Sequence, residues 1–129
     1  MTKKTLSQFL ALDAATCALV FVLGVFATAM VASLTGLPPV VISAAGWICL
    51  AAGALFGYLA VRPSRGLLWL AVAGNAAWVA ASLTVWVAYA ADLTTLGHAV
   101  VIAQAIGVAV FVVLEARGAA ALSSRPAMA

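Results

Sequence analysis

Residues 40–61 read VVISAAGWICLAAGALFGYLAV, a run of 22 residues without a charged side chain. A helix rises about 1.5 Å per residue, so about 20 apolar residues cross a hydrocarbon core about 30 Å thick. A core helix of a soluble protein would be shorter and would show a polar stripe. The run therefore predicts one membrane-spanning helix.

Three further apolar segments lie on either side of this run, at about residues 9–34, 67–91 and 96–116. Each is long enough to cross a membrane as a helix. The four segments predict an all-α fold, a membrane-spanning antiparallel four-helix bundle with up-down-up-down order. We expect residues 1–118 to form this domain and residues 119–129 to form a short cytoplasmic tail.

The composition excludes the common soluble classes. Hydrophobic residues make up 67% of the chain and charged residues 7%, whereas soluble domains carry about a quarter charged residues. The net charge of +3 comes from basic residues at the predicted helix ends, which indicates membrane orientation rather than nucleic-acid binding. The expected partner is the lipid bilayer, and a membrane protein partner or a second copy of the chain are further candidates.

Short breaks separate the segments at residues 35–39, 62–66 and 92–95. The first two carry glycine and proline, which are typical of helix ends, and the third offers Asp or Thr as a helix cap. Connections this short make successive helices antiparallel neighbours. The breaks therefore support the predicted up-down-up-down order.

All six basic residues fall on one side of the predicted membrane. They are Lys3, Lys4, Arg62, Arg65, Arg117 and Arg125. The positive-inside rule makes that side cytoplasmic, so we expect a multi-pass protein of the bacterial inner membrane with both termini in the cytoplasm. The first apolar segment is longer than the core of a signal peptide, so we expect it to stay uncleaved.

Polar side chains inside the segments are the candidates for a binding site, because they are costly in a membrane helix and usually face inward. Helical spacing places Asn75, Trp78 and Ser82 on one face. Together with Asp13 and Gln104 they are expected to form an interior polar cluster. Asn75 and Gln104 are expected first of all to bridge helices. Asp13 could instead reach the interface near Lys3 or Lys4, or cap a frayed helix start.

Other polar residues give weaker signals. Glu115 lies eleven residues after Gln104 and shares its helix face. The position of Glu115 near Arg117, however, predicts a solvated charge at the interface. His98 and Met30 lie at the outer level, where such a pair could hold haem iron. Cys17 and Cys49 are expected to be small buried hydrophobes. No metal site and no catalytic constellation is predicted.

Short motifs along the chain resemble an uncharacterised family of small bacterial four-helix integral membrane proteins. The motifs are Leu12-Asp13-Ala14, Leu37-Pro38, Arg62-Pro63, Asn75 to Trp78 with Ser82, and Thr95-Leu96-Gly97 followed by Gln104. The resemblance covers most of the chain. It implies the four-helix fold and no activity.

The expected function is non-enzymatic: a membrane bundle that packs with a partner or binds a lipid-like ligand, with no cofactor. One alternative is a small oligomeric proton-coupled transporter that uses Asp13. This carboxylate is placed like the one in the first helix of small multidrug-resistance transporters, although the six-to-zero charge bias argues against their dual topology. A second alternative is a haem-binding electron carrier that uses His98.

Overall fold

The computed structural model describes residues 1–123, which form five helices and no strand. The helices are α1 (Lys3–Phe26), α2 (Thr28–Thr35), α3 (Pro39–Val61), α4 (Arg65–Ala88) and α5 (Thr95–Ser123). All except the eight-residue α2 are long and apolar enough to cross a membrane. The predicted all-α class and the four long apolar helices are confirmed.

The prediction of one continuous first helix is wrong, because the structure has two helices, α1 and α2, separated at Ala27. The backbone of Ala27 leaves helical geometry at φ −126° and ψ 30°. The Thr28 hydroxyl donates to the Gly24 carbonyl oxygen at 2.6 Å, a side-chain bond that competes with the helical ladder and bends helices. The helix also begins earlier than predicted, because Thr2 Oγ1 accepts a hydrogen bond from the Thr5 amide and caps it.

The last helix is longer than predicted and takes in part of the expected tail. Residues 119–123 belong to α5, and residues 124–129 of that tail lie outside the described residues. Ala119 is fully buried, and Gly118 lies so close to Leu6 that a Cβ at this glycine would meet Leu6 Cδ1 at 2.6 Å. The packing of α5 on the start of α1 therefore stabilises the extra turns.

Buried leucines fill the end of the molecule where α1 begins. The fully or nearly fully buried side chains there are Leu6, Leu10, Leu59, Leu68 and Ala119. The Ser7 hydroxyl adds a hydrogen bond of 2.6 Å to the Ala60 carbonyl oxygen. This core holds the first turns of α1 and α4 against the last turns of α3 and α5.

At the opposite end of the molecule, hydrogen bonds join the connection between α4 and α5 to the end of α2. The Thr94 amide donates to the Thr35 carbonyl oxygen at 3.0 Å, and the Thr94 hydroxyl donates to the Leu34 carbonyl oxygen at 2.6 Å. Gly36 ends α2 with a left-handed φ of +79°, which favours glycine. Its α carbon lies against the Asp92 carbonyl oxygen, where a Cβ would collide.

The four long helices associate as two close pairs, α1 with α3 and α4 with α5, and contacts between the pairs are fewer. Glycines explain the first pairing, because a Cβ at Gly24 would lie 2.8 Å from the Ile42 carbonyl oxygen and 3.1 Å from the Gly46 α carbon. The backbones of α1 and α3 therefore approach closely at this point. The looser packing between the pairs leaves space for a cavity.

Candidate functional site

Two carboxyl groups and one amide meet where α1, α4 and α5 come together. The Asn75 side-chain nitrogen Nδ2 donates to Asp13 Oδ2 at 2.8 Å and to Glu115 Oε2 at 3.0 Å. All three side chains are buried, and Glu115 is completely so. We call Asp13, Asn75 and Glu115 the acidic cluster. It links α1 of one helix pair to both helices of the other.

The acidic cluster has more hydrogen-bond acceptors than donors. Asn75 Nδ2 carries two protons, and each is used by one carboxyl group. Glu115 Oε1 is buried without a hydrogen-bond partner. Within residues 1–123, no lysine or arginine is among the groups that act on either carboxyl, which interact directly with each other. One carboxyl oxygen of the cluster therefore receives no hydrogen bond, and no cation among the described residues offsets the carboxyl groups.

Glu115 corrects the sequence interpretation, which expected a solvated charge at the interface. The residue is fully buried because α5 continues eight residues beyond it, to Ser123, and its side chain turns toward Asn75. Arg117, two positions further on, is exposed. The signal was available in the sequence, since Glu115 shares a helix face with the interior residue Gln104.

A second group of polar side chains lies between α4 and α5. The Trp78 indole Nε1 donates to Gln104 Oε1 at 2.8 Å. Gln104 Nε2 donates to Ser82 Oγ at 2.8 Å and to the Val101 carbonyl oxygen at 3.0 Å. We call Trp78, Ser82 and Gln104 the amide cluster. Its amide nitrogen, amide oxygen and indole nitrogen all have partners.

The structure thus brings the five predicted interior residues together in two groups rather than one. Asp13 and Asn75 belong to the acidic cluster, and the other three form the amide cluster. Asp13, Asn75, Trp78 and Gln104 border one cavity, whereas Ser82 lies behind Gln104. The sequence missed only Glu115 as a member of this interior.

The cavity has a volume of about 270 Å³ and lies between the two helix pairs. Most of its wall is apolar, and the aromatic side chains in it are Phe56, Trp78 and Phe111. Ile48 on α3 and Leu70 on α4 also border it and are 56% and 57% exposed. The cavity is therefore not sealed, since some of its lining residues also reach the surface of the molecule.

Two glycines enlarge the cavity on the second helix pair. Gly74 on α4 and Gly107 on α5 both border it, and a Cβ at either would meet no atom within 4 Å. Helical glycine costs about 1 kcal/mol relative to alanine. Larger residues at these positions would occupy the space that the glycines leave open.

The two cysteines also border the cavity. Cys17 on α1 and Cys49 on α3 are buried, are not joined in a disulfide, and interact with each other. They behave as the small buried side chains that the sequence predicted. Within residues 1–123, no group of three or more His, Cys, Asp or Glu side chains is placed to hold a metal ion.

His98 lies far from this site and is engaged elsewhere. It precedes Glu115 by 17 helical residues, about 25 Å along α5. Its Nδ1 accepts a hydrogen bond of 2.9 Å from the Trp86 indole, so the proton of the neutral ring is on Nε2. Nδ1 is thus engaged with Trp86, and Met30 is half exposed. The geometry gives the haem alternative no support.

Comparison with protein-family models, with curated proteins and with solved structures gives no match for this chain. The resemblance to small bacterial four-helix membrane proteins stays a prediction. The function must therefore be argued from the acidic cluster, the amide cluster and the cavity between them.

Proposed function

We propose that this protein spans the bacterial inner membrane four times. The support is its exposed apolar surface: at most 22% of the residues in the most apolar stretch of each long helix are buried. Large side chains such as Phe26, Val40 and Val61 are more than 70% exposed. Lipid accepts such a surface, whereas water does not.

The proposed orientation places both termini in the cytoplasm. The basic side chains of the described residues lie at helix ends on one side: Lys3 and Lys4 at the start of α1, Arg62 after α3, Arg65 at the start of α4 and Arg117 near the end of α5. The positive-inside rule assigns this side to the cytoplasm. A topology reporter fused after Ala129 should be active only in the cytoplasm, and periplasmic activity would contradict the proposal.

The proposed role is non-enzymatic binding of a lipid-like ligand between the two helix pairs. One observation carries it, a mainly apolar cavity that is open to the surface and has Asp13 and Asn75 of the acidic cluster in its wall. Ligand cavities are typically apolar with a few converging polar groups, at about 300–1,000 Å³. A volume of about 270 Å³ suits a small amphipath or one alkyl chain.

Packing with a membrane protein partner or a second copy stays a prediction. Exposed large hydrophobic side chains are spread over all four long helices, for example Leu19, Val61, Val87 and Ile106. They are not gathered on one helix face, as a docking surface would require. The cavity is the more specific feature.

The test replaces Gly107 by leucine, which fills the cavity from α5. Gly57→Leu is the matched control, because a Cβ at Gly57 also meets no atom within 4 Å but Gly57 does not border the cavity. Native mass spectrometry of protein released gently from detergent should show one retained amphipath on the wild type and on Gly57→Leu. Gly107→Leu should be at bare chain mass.

Two outcomes would contradict the binding role. The wild type could carry no retained molecule, or Gly107→Leu could retain it as fully as Gly57→Leu. The same spectra report the number of chains per particle. A defined oligomer would therefore be seen directly, whether or not a ligand is present.

A proton-coupled transporter is the second candidate, and the two carboxyl groups of the acidic cluster favour it. Intramembrane carboxyl groups commonly mark ion pathways and proton relays. Transport differs from binding in one measurement, because only a transporter moves protons across a sealed vesicle when a ligand gradient is imposed. Asp13→Asn should abolish that flux while the protein is still produced, and unchanged flux would exclude this candidate.

A further inference from the structure

We propose that the two arginines where α3 ends and α4 begins bind the headgroup of an anionic phospholipid of the cytoplasmic leaflet. We call Tyr58, Arg62, Arg65 and Trp69 the arginine surface. The inference rests on the proposed membrane placement and orientation. It does not depend on the cavity, because none of these four residues borders it.

The basic end of the molecule carries positive charge that no carboxylate of the described residues offsets. Of the three acidic residues of the chain, Asp13 and Glu115 are buried, and no lysine or arginine of residues 1–123 acts on them. Asp92 follows α4, whose 24 residues span about 36 Å, far beyond the screening length of about 8 Å in physiological salt. A partner of complementary charge is therefore anionic. The exposed cations at this end are Lys3, Lys4, Arg62, Arg65 and Arg117.

Among the described basic residues, only the two between α3 and α4 are accompanied by tyrosine or tryptophan. The Arg62 amide donates to the carbonyl oxygen of Tyr58, one turn earlier, at 2.8 Å, and Trp69 lies one turn after Arg65. Tyr58 is 52% exposed and Trp69 is 44% exposed. The helices α1 and α5 contain no Tyr or Trp. Because these two residue types favour the headgroup level of a bilayer, this surface lies where phospholipid headgroups lie.

The two arginines are placed to contact one phosphate group together. They are three residues apart, so their α carbons are separated by at most about 11 Å, and both side chains are exposed. The planar guanidinium group binds phosphate oxygens through two parallel hydrogen bonds. A zwitterionic lipid brings its own ammonium group, which leaves the arginine charge without a counterion. An anionic headgroup supplies that counterion.

The arginine surface continues into an apolar surface on the membrane side. One turn beyond Tyr58 and Trp69, the same helix faces carry the exposed residues Ala54 and Ala73. The two helices belong to different pairs, which make few contacts with each other. Acyl chains below a bound headgroup would therefore lie on apolar side chains. A soluble acidic protein would reach the arginines but not these deeper residues, so a lipid fits the surface better.

The test adds phosphatidylglycerol or phosphatidylcholine with identical acyl chains to purified full-length protein in detergent, at about 0.15 M salt. Native mass spectrometry counts the bound lipid at each concentration. The surface is open to detergent, so it fills from added lipid. Each basic residue near an anionic lipid contributes about fivefold in affinity. Phosphatidylglycerol should therefore bind about twentyfold more tightly than phosphatidylcholine.

The double variant Arg62→Gln with Arg65→Gln should lower this preference to about twofold, and Arg62→Lys with Arg65→Lys should retain most of it because the charge remains. The matched control is Lys3→Gln with Lys4→Gln, which removes the same charge from a helix without Tyr or Trp. Its preference should stay within about twofold of the wild type. Gly107→Leu, which fills the cavity, should bind phosphatidylglycerol as the wild type does.

Equal binding of the two lipids by the wild type would overturn the inference, would make an acidic protein the better match for the arginines, and would leave the proposed cavity binding intact. Equal losses in the lysine and arginine variants would also overturn it, since general charge would then select the lipid. Loss of phosphatidylglycerol binding in Gly107→Leu would place the lipid in the cavity instead. Recovery of the protein in the water-soluble fraction of cells would overturn the membrane placement and the inference together.

Discussion

The acidic cluster and the amide cluster border the same cavity but differ in how completely their polar groups are paired. In the amide cluster, the Trp78 indole nitrogen and both polar atoms of Gln104 have partners. In the acidic cluster, Glu115 Oε1 has none. A fully paired neutral network specifies packing, whereas an incompletely paired acidic one is costly. This difference supports a packing role for the amide cluster and, under the proposed function, a ligand-binding role for the acidic cluster.

The two clusters also differ in which helices they join. The amide cluster connects α4 with α5, which already pack closely as a pair. The acidic cluster connects α1 to α4 and, through Asn75, to Glu115 on α5. It is therefore a polar link across the looser interface between the helix pairs, where a ligand could alter the packing.

The largest expected effect comes from Asn75→Leu, which removes the only amide that the two carboxyl groups share. We expect the free energy of unfolding to fall by about 3 kcal/mol, because two buried carboxyl groups lose their donor and no cation replaces it. Unfolding in mixed micelles with increasing dodecyl sulfate, followed by circular dichroism, measures the loss. A loss smaller than that of Gln104→Leu would reverse the ranking of the two clusters.

A smaller effect is expected from Gln104→Leu, which breaks the amide cluster. Hydrogen bonds between membrane helices contribute about 0.6–2 kcal/mol, and we expect a loss of about 1 kcal/mol in the same assay. The ligand retained in native mass spectrometry should remain, because Asp13 and Glu115 keep their contacts with Asn75. Loss of the retained ligand would mean that the two clusters bind it jointly.

The smallest effect expected is the departure from additivity in the double variant that carries both leucines. The side-chain hydrogen bonds of Asn75 and Gln104 share no partner, so the two losses of stability should add to within about 0.5 kcal/mol. A larger departure from additivity would mean that the clusters are coupled through the cavity or through the turn of α4 that joins Asn75 to Trp78.

Local signals in the sequence account for much of the fold. Pro38 and Pro39 precede and open α3, and Gly36 ends α2 in the left-handed conformation, as their backbone preferences predict. The face shared by Asn75, Trp78 and Ser82 follows from helical periodicity alone, and all three side chains do point toward α5 or the acidic cluster.

Other features could not be predicted from local signals. The break at Ala27 lies beside the Thr28 hydroxyl bond to Gly24, yet the same kind of bond from Thr84 to Ala80 lies within the continuous helix α4. The burial of Glu115 depends on the extension of α5 to Ser123. That extension is stabilised by the contact of Gly118 with Leu6, which lies more than a hundred residues away in the chain.

The sequence by itself determined that four long apolar helices form, where the short connections interrupt them, and that the basic residues lie at the helix ends. These properties depend on hydropathy and on residues close together in the chain. Only the tertiary structure decided that Asp13, Asn75 and Glu115 meet at one amide nitrogen beside an open cavity. Such a meeting depends on how far each helix is rotated and shifted along its axis. Close contacts, such as Gly24 with Gly46 and Gly118 with Leu6, determine that placement.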